Sequence, residues 1–366
     1  NNTFVFNTAP ASGAAIHVEL SGAPLRLLLN AISDNGSSVE QFTDLPGSTF
    51  QSEGGNILNF NGSAEEVSWM DALGDNSGNL TMNFHSPEVT DGFGLKYYTI
   101  TDIGSACVDV SVTPTFLGTL DHDGRRAPRP LTGDAGPLHD AGACEFTQLR
   151  VTNNFGDNNV VGAFAWAVLQ NIIDPVSYIE FDIPTGNLPT IISPNLNVVE
   201  SGLPTIIDGF SQTGSVIPGP EETGNPGVKG AVLPITIKDA ATLPFGIQFG
   251  GAASGSTVSG LRFEDFLNYG IDTDGCNNLK IFGNEFGING TTIASNGSAG
   301  IHISGSQNCE IGGVFHYKRN VVTGNGFDNA GDETNILIDP GSEGTKIAGN
   351  IIGLTSTGLS SPIGIP

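Results

Sequence analysis

The chain has 366 residues, and 13 Lys and Arg against 38 Asp and Glu give a formal net charge of −25 at pH 7. So few cations argue against a nucleic-acid binder, which neutralises phosphates with basic patches. With 51 Gly and only 14% charged residues, the composition suits turn-rich β structure rather than a helical protein.

A hydrophobic share of 38% is enough for a long, thin core. No stretch approaches the ~20 apolar residues of a membrane span, so no transmembrane segment is expected. The chain opens at Asn1 without Met or signal peptide and stops within a repeat at Pro366. That is the pattern of a processed form or a piece of a longer protein.

Residues 1–147 hold short apolar segments punctuated by Gly, Asn and Ser, and close on a Pro- and Arg-containing stretch, Asp121–Phe146. It reads as a domain end, dividing the chain into 1–147 and 148–366. Beyond it, Val160–Ile173 predicts a helix, with Asp157 and Asn158 before it and Asp174-Pro175 after it. Placed ahead of the strands that follow, it would cover the open end of their core. Tyr178–Pro184 and Leu203–Phe210 predict strands ending in turn residues.

From residue 246 the sequence repeats. Ile247, Ile271, Ile301 and Ile336 sit in similar alternating segments, spaced by 24, 30 and 35 residues. A second arm follows each, around Val258, Ile281, Ile311 and Ile347, spaced by 23, 30 and 36. A third arm reads LRFEDF, NEFGI, NVVTG and NIIGL. Three short strands per repeat cannot bury an apolar face alone; stacking coil on coil buries a continuous core. The expected fold is all-β, a right-handed parallel β-helix with a short capping helix near 160–173. Insertions such as Asn289–Ser298 and Gly324–Thr334 would bulge from its turns. Asn284, Asn320 and Asn350 fall in one turn of three repeats, where asparagine tolerates a left-handed backbone and bonds to its neighbours, so an asparagine ladder is expected. A β-sandwich with Asn-rich turns would leave the three-arm repetition without a reason.

A parallel β-helix is also a scaffold for polysaccharide hydrolases and lyases, so its carboxylates and cations are candidates for chemistry. Asp272 and Asp274 form the nearest acid–base pair, without the Gly-His-Gly or Arg-Ile-Lys elements of a galacturonase-like hydrolase. Arg262 with Glu264 and Asp265, or Lys318 and Arg319 near His316, would be the groups of a lyase; surface charges or turn contacts are the simpler reading. Asp121, His122 and Asp123 with Arg125 and Arg126 read as a turn held by local ion pairs. Asp328, Asp332 and Glu333 offer oxygen ligands for calcium, but no EF-hand or Gly-Gly-x-Gly-x-Asp repeat accompanies them. No cofactor is expected and no residue is assigned to catalysis. Cys309 aligns with Leu279 as a small core residue, and Cys276 with turn residue Ser306, which leaves a Cys276–Cys309 bridge open. The Asn-x-Ser/Thr sequons at Asn1, Asn35, Asn61, Asn79, Asn289 and Asn296 are those expected by chance in such a composition.

Several of these residues resemble the large bacterial cell-surface proteins built from right-handed parallel β-helix modules, with polymorphic-outer-membrane-protein repeats and CSLREA-type domains. Phe4-Val-Phe-Asn7 followed by Gly13-Ala-Ala-Ile16 resembles the family's Phe-x-x-Asn and Gly-Gly-Ala-Ile motifs, with Ala14 at the second Gly. Gly104-Ser-Ala-Cys-Val-Asp109 is similar to its terminal signature, and Asp121–Phe146 to its closing element. Val151–Asp157, Gly162–Asn171 and Ile206–Gly214 resemble the start of a further module, with Ala165 where the capping helix usually carries Arg.

The resemblance implies two consecutive modules: the end of one in 1–147 and the start of another in 148–366, continuing beyond the chain. It places Cys107 and Cys144 in two motifs that terminate one module, which implies a disulfide between them. It implies a non-catalytic structural or adhesive segment of a secreted surface protein, meeting extracellular glycans or other surface proteins at the bacterial cell surface. Acidity and scarce Lys fit such an exterior. The alternatives are a β-helix polysaccharide lyase or hydrolase, and a filament subunit that self-associates head to tail.

Overall fold

The computed structural model describes residues 149–170, 177–184, 186, 190–192, 200–217, 231–239, 242–326 and 334–355, and, upstream, the backbone of ten short strands. The chain divides into two compact units, one of Asn1–Val89 with Lys96–Gln148 and one of Thr90–Leu95 with Leu149–Pro366. In the first, Thr3–Val5, Ala31–Ser33, Ile57–Asn59 and Asn76–Gly78 form a four-stranded parallel sheet. Ile16–Val18 pairs in parallel with Phe42–Asp44, and Leu25–Leu28 with Phe50–Gly54.

The second unit holds three parallel sheets. The first joins Arg150–Val151, Ser177–Phe181, Thr205–Asp208, Thr257–Ser259, Lys280–Phe282, Glu310–Gly312 and Lys346–Ala348. A second sheet joins Thr190–Ile192, Ile235–Lys238, Arg262–Glu264, Glu285–Phe286, Val321–Val322 and Ile351–Ile352. The third joins Glu200–Ser201, Phe245–Gly250, Tyr269–Asp274, Ala299–Ile303 and Ile336–Ile338. From Ser177 onward the chain visits first, second and third sheets in turn, so each circuit adds one strand to each. The fold is all-β, with parallel sheets and one short α-helix among the described residues. A hairpin, Ile288–Asn289 against Thr292–Ile293, is antiparallel and lies within an inserted loop.

Register follows from which residues turn inward. In the first sheet Ile179, Ile207, Val258, Ile281 and Ile311 stand on successive rungs, each fully buried. The second sheet aligns Ile237, Phe263, Phe286 and Val322, with the two phenyl rings stacked 5.2 Å apart. Ile247, Ile271, Ile301 and Ile336 align in the third. Each buried side chain of this size contributes about 1.5–3 kcal/mol, and a one-residue slip would turn a whole row outward. Gly246 and Gly270 stand on adjacent rungs: a Cβ on the first would come 2.6 Å from the carbonyl oxygen of the second, and one on Gly270 2.8 Å from that of Gly300. Glycine is required there because neighbouring backbones approach too closely for any side chain.

The helix spans Phe164–Gln170 rather than starting at Val160. Gly162, at φ +81°, turns the chain first, and its carbonyl accepts the amide of Thr152, so the residues before 163 cannot be helical. Phe164, Ala165, Ala167 and Val168 are buried in the common core, and Phe164 stacks on Phe181 at 5.9 Å. Ala165, 2% exposed, fits where an arginine would have to be buried. No helix among the described residues is long and apolar enough to cross a membrane.

Two columns of asparagines, buried at Asn284, Asn320, Asn296 and Asn325 and half-buried at Asn350 and Asn335, close the turns. Asn284 donates its backbone N–H to Asn320 Oδ1 at 3.0 Å, and Asn320 donates in the same way to Asn350 Oδ1 at 3.1 Å. The amide nitrogens of Asn284, Asn320 and Asn350 also donate to the carbonyls of Val258, Ile281 and Ile311. At another corner Asn296 Nδ2 donates to Asn325 Oδ1 at 2.8 Å, and Asn325 Nδ2 to Asn335 Oδ1 at 3.2 Å. Asn278 and Asn308 take left-handed backbones at φ 58° and 56°, thirty residues apart in successive circuits.

Cys276 and Cys309 are free and buried, and burial pushes both thiols up, Cys276 to about 12. Cys309 Sγ lies 3.5 Å from the carbonyl oxygen of Cys276. Cys107 and Cys144 lie outside the described residues. The Asn320→Ala variant removes the partner of the buried Asn284 N–H and of the Ile281 carbonyl on the preceding circuit and should lose about 2–5 kcal/mol, read as a lower urea midpoint. Cys276 and Cys309 should resist a thiol reagent at pH 8 and react once urea unfolds the chain, as peptide mapping of the labelled sites would show; rapid native labelling would contradict their burial.

Candidate functional site

Alternation in the third sheet turns Ile247, Ile271 and Ile301 inward and Gln248, Asp272 and His302 outward on consecutive rungs. Asp339 follows the next strand, Ile336–Ile338. These four side chains form one thread across four strands. Gln248 Nε2 donates to Asp272 Oδ2 at 2.6 Å, and His302 lies between two carboxylates, Nδ1 2.7 Å from Asp272 Oδ1 and Nε2 3.0 Å from Asp339 Oδ2. Tyr269 covers the imidazole, ring centroids 4.3 Å apart.

His302 is 9% exposed and Asp272 7%, whereas the Asp339 side chain is 40% exposed. Burial alone would lower the His302 pKa. Its bonds to Asp272 and Asp339 outweigh that cost and hold it above the ordinary value. A protonated imidazole donates through both nitrogens; a neutral one can satisfy only one carboxylate. With both nitrogens engaged by carboxylates, the ring has no free position from which to pass a proton to a substrate. The thread therefore acts as a clasp that ties four successive rungs at the surface.

The other residues singled out in the sequence are spread over different faces. Asp274 shares the strand of Asp272 and is exposed. Arg262 and Glu264 belong to the second sheet. Arg262 Nε pairs with Glu285 Oε2 at 2.6 Å, and Lys238 Nζ with Glu264 Oε2 at 3.3 Å and Asp265 Oδ2 at 2.7 Å. Glu264 Oε1 is buried without a hydrogen-bond partner. Burial pushes the Glu285 carboxyl up, opposed by Arg262 and reinforced by Glu264. His316 and Lys318 lie in a short 3₁₀ turn, His316–Lys318, on an exposed loop, with Arg319 next in the chain. The structure brings Asn284, Asn320 and Asn350 together. Asp121, His122, Asp123, Arg125, Arg126, Asp328, Asp332 and Glu333 lie outside the described residues. Among those described, no group of three or more His, Cys, Asp and Glu could hold a metal ion.

No local motif marks His302, whose carboxylate partners lie 30 and 37 residues away. The repeat carried the signal: if Ile271 and Ile301 share a rung, so do Asp272 and His302. Asn296 and Asn325 were read as a sequon and as insertion, though they repeat at 29 residues.

Comparison of the chain with family models, curated proteins and solved structures finds no match.

A folded-state pKa raised above the unfolded value means that the His302 clasp stabilises fully below about pH 6.5 and is lost as pH rises through the folded pKa. The urea midpoint of wild type should exceed that of His302→Gln by more at pH 6 than at pH 9. A gap that widens with pH would reverse the assigned direction.

Proposed function

We propose that the chain comprises parts of two consecutive right-handed parallel β-helix modules and serves as a stiff, non-catalytic segment of a large secreted bacterial cell-surface protein. Its turns would meet extracellular glycans or other surface proteins. The observation that carries this reading is the rotation of the second unit's strands through three parallel sheets, one rung per circuit, with an unbroken apolar column in each. A chain built this way contacts mainly its own neighbouring circuits, which is the physical basis of a stiff, extendable rod. The helix Phe164–Gln170 then caps the core. The engagement of Asp272, Glu264, Arg262 and His302 in neighbouring-rung contacts supports a structural use of these groups.

A second reading, a β-helix polysaccharide hydrolase or lyase, is favoured by one observation: Asp272, His302 and the half-exposed Asp339 share a face with the exposed Asp274. The purified chain is incubated with neutral and acidic polysaccharides, with calcium and with chelator, and scored for new reducing or unsaturated ends and for retained polymer. Retention without new ends is expected. New ends that vanish in an Asp272→Ala/Asp274→Ala variant would replace the structural reading with the enzymatic one.

A further inference from the structure

Between the strands Glu310–Gly312 and Val321–Val322 the chain runs through Gly313-Val-Phe-His-Tyr-Lys-Arg319. Val314 is 83% exposed and Phe315 56%, an apolar display that a structural turn does not need. The Phe315 and Tyr317 rings stack with centroids 5.6 Å and planes 9° apart, and His316 meets Tyr317 edge-on. Lys318 Nζ stands 5.5 Å from the centre of the Phe282 ring on the preceding circuit.

The loop is held on both sides. Gly313 donates its N–H to Ala348 O at 2.8 Å, and Lys318 O accepts from Gly283 N–H at 3.4 Å. Internally, Lys318 N–H bonds to Phe315 O and Arg319 N–H to His316 O. Its aromatic face is thus set before any partner arrives, which removes much of the ordering cost of binding.

Charge gives the partner's chemistry. In a chain of net charge −25, residues 311–327 contain no Asp or Glu, and Lys318 follows the two rings directly in the sequence. The next acid back, Glu310, is 3.8 Å from Lys346.

We propose that loop 313–319 is the contact site for an anionic polysaccharide, one sugar ring laid on the Phe315–Tyr317 face and its carboxylate met by Lys318. The proposal deepens, and rests on, the adhesive reading above. A seven-residue loop is too small for the roughly 800 Å² per partner of a stable protein interface, whereas a sugar needs one aromatic face and one charge.

The test is binding of the full chain to immobilised polygalacturonate, with fully methyl-esterified polygalacturonate as the neutral control. Phe315→Ala removes the stacking face. Lys318→Met removes the charge while keeping a stem to pack over Gly313, and circular dichroism checks that both variants fold. The expected result is retention on polygalacturonate, at least tenfold weaker on the ester, and at least tenfold weaker again for each variant on polygalacturonate. Unchanged retention of both variants would overturn the site and leave the adhesive reading standing. Equal retention on acid and ester, insensitive to Lys318→Met, would overturn the anionic class. No retention of wild type on any polysaccharide would overturn the proposal and glycan adhesion together.

Discussion

Between its three parallel sheets the second unit's chain has to turn, and the turns that carry Asn284, Asn296 and Asn320 bury backbone N–H and C=O groups. An unpaired buried amide costs as much as several well-packed methylenes contribute, so the fold depends on how those groups are satisfied. Asparagine solves it with a side chain that copies the backbone: Asn320 accepts from the circuit before and donates to the one after. Because each link needs the next, the apolar columns are held in one register by polar groups. The Ile and Phe rows supply the driving force; the amide chains choose the rung.

How much of this was legible depended on whether a residue recurs. The isoleucine spacings of 24, 30 and 35 residues are the rung-to-rung distances of the third sheet, so a simple repeat alignment located the core. Asn284, Asn320 and Asn350 recur in the same way. The second amide column escaped notice because its members sit in loops of unequal length, where Asn335 follows Asn325 by only ten residues. The helix starts later than its flanking residues suggest because Gly162 takes a left-handed backbone that ends the preceding turn, a conformation the residue type alone does not show.

The site thread was hidden for a different reason. Gln248, Asp272 and His302 are three unlike residue types on one outward row, so no motif marks them, and only register makes them neighbours. The same is true of Arg262 with Glu285 and of Arg150 with Glu180. Between neighbouring rungs such partners lie from 10 to 51 positions apart along the chain. Local sequence therefore shows what a side chain is and not what it meets.

That arrangement also has a mechanical side. The backbone bonds of the three sheets, the amide columns and the His302 clasp run from one rung to the next rather than along the chain. Tension along the stacking direction would load them end-on, and the first circuit to give way would take its own bonds and leave those beneath intact. Each detached circuit of about 25–35 residues would release roughly 80–120 Å of chain. A segment built so would lengthen in discrete steps under pull, dissipating force at each one.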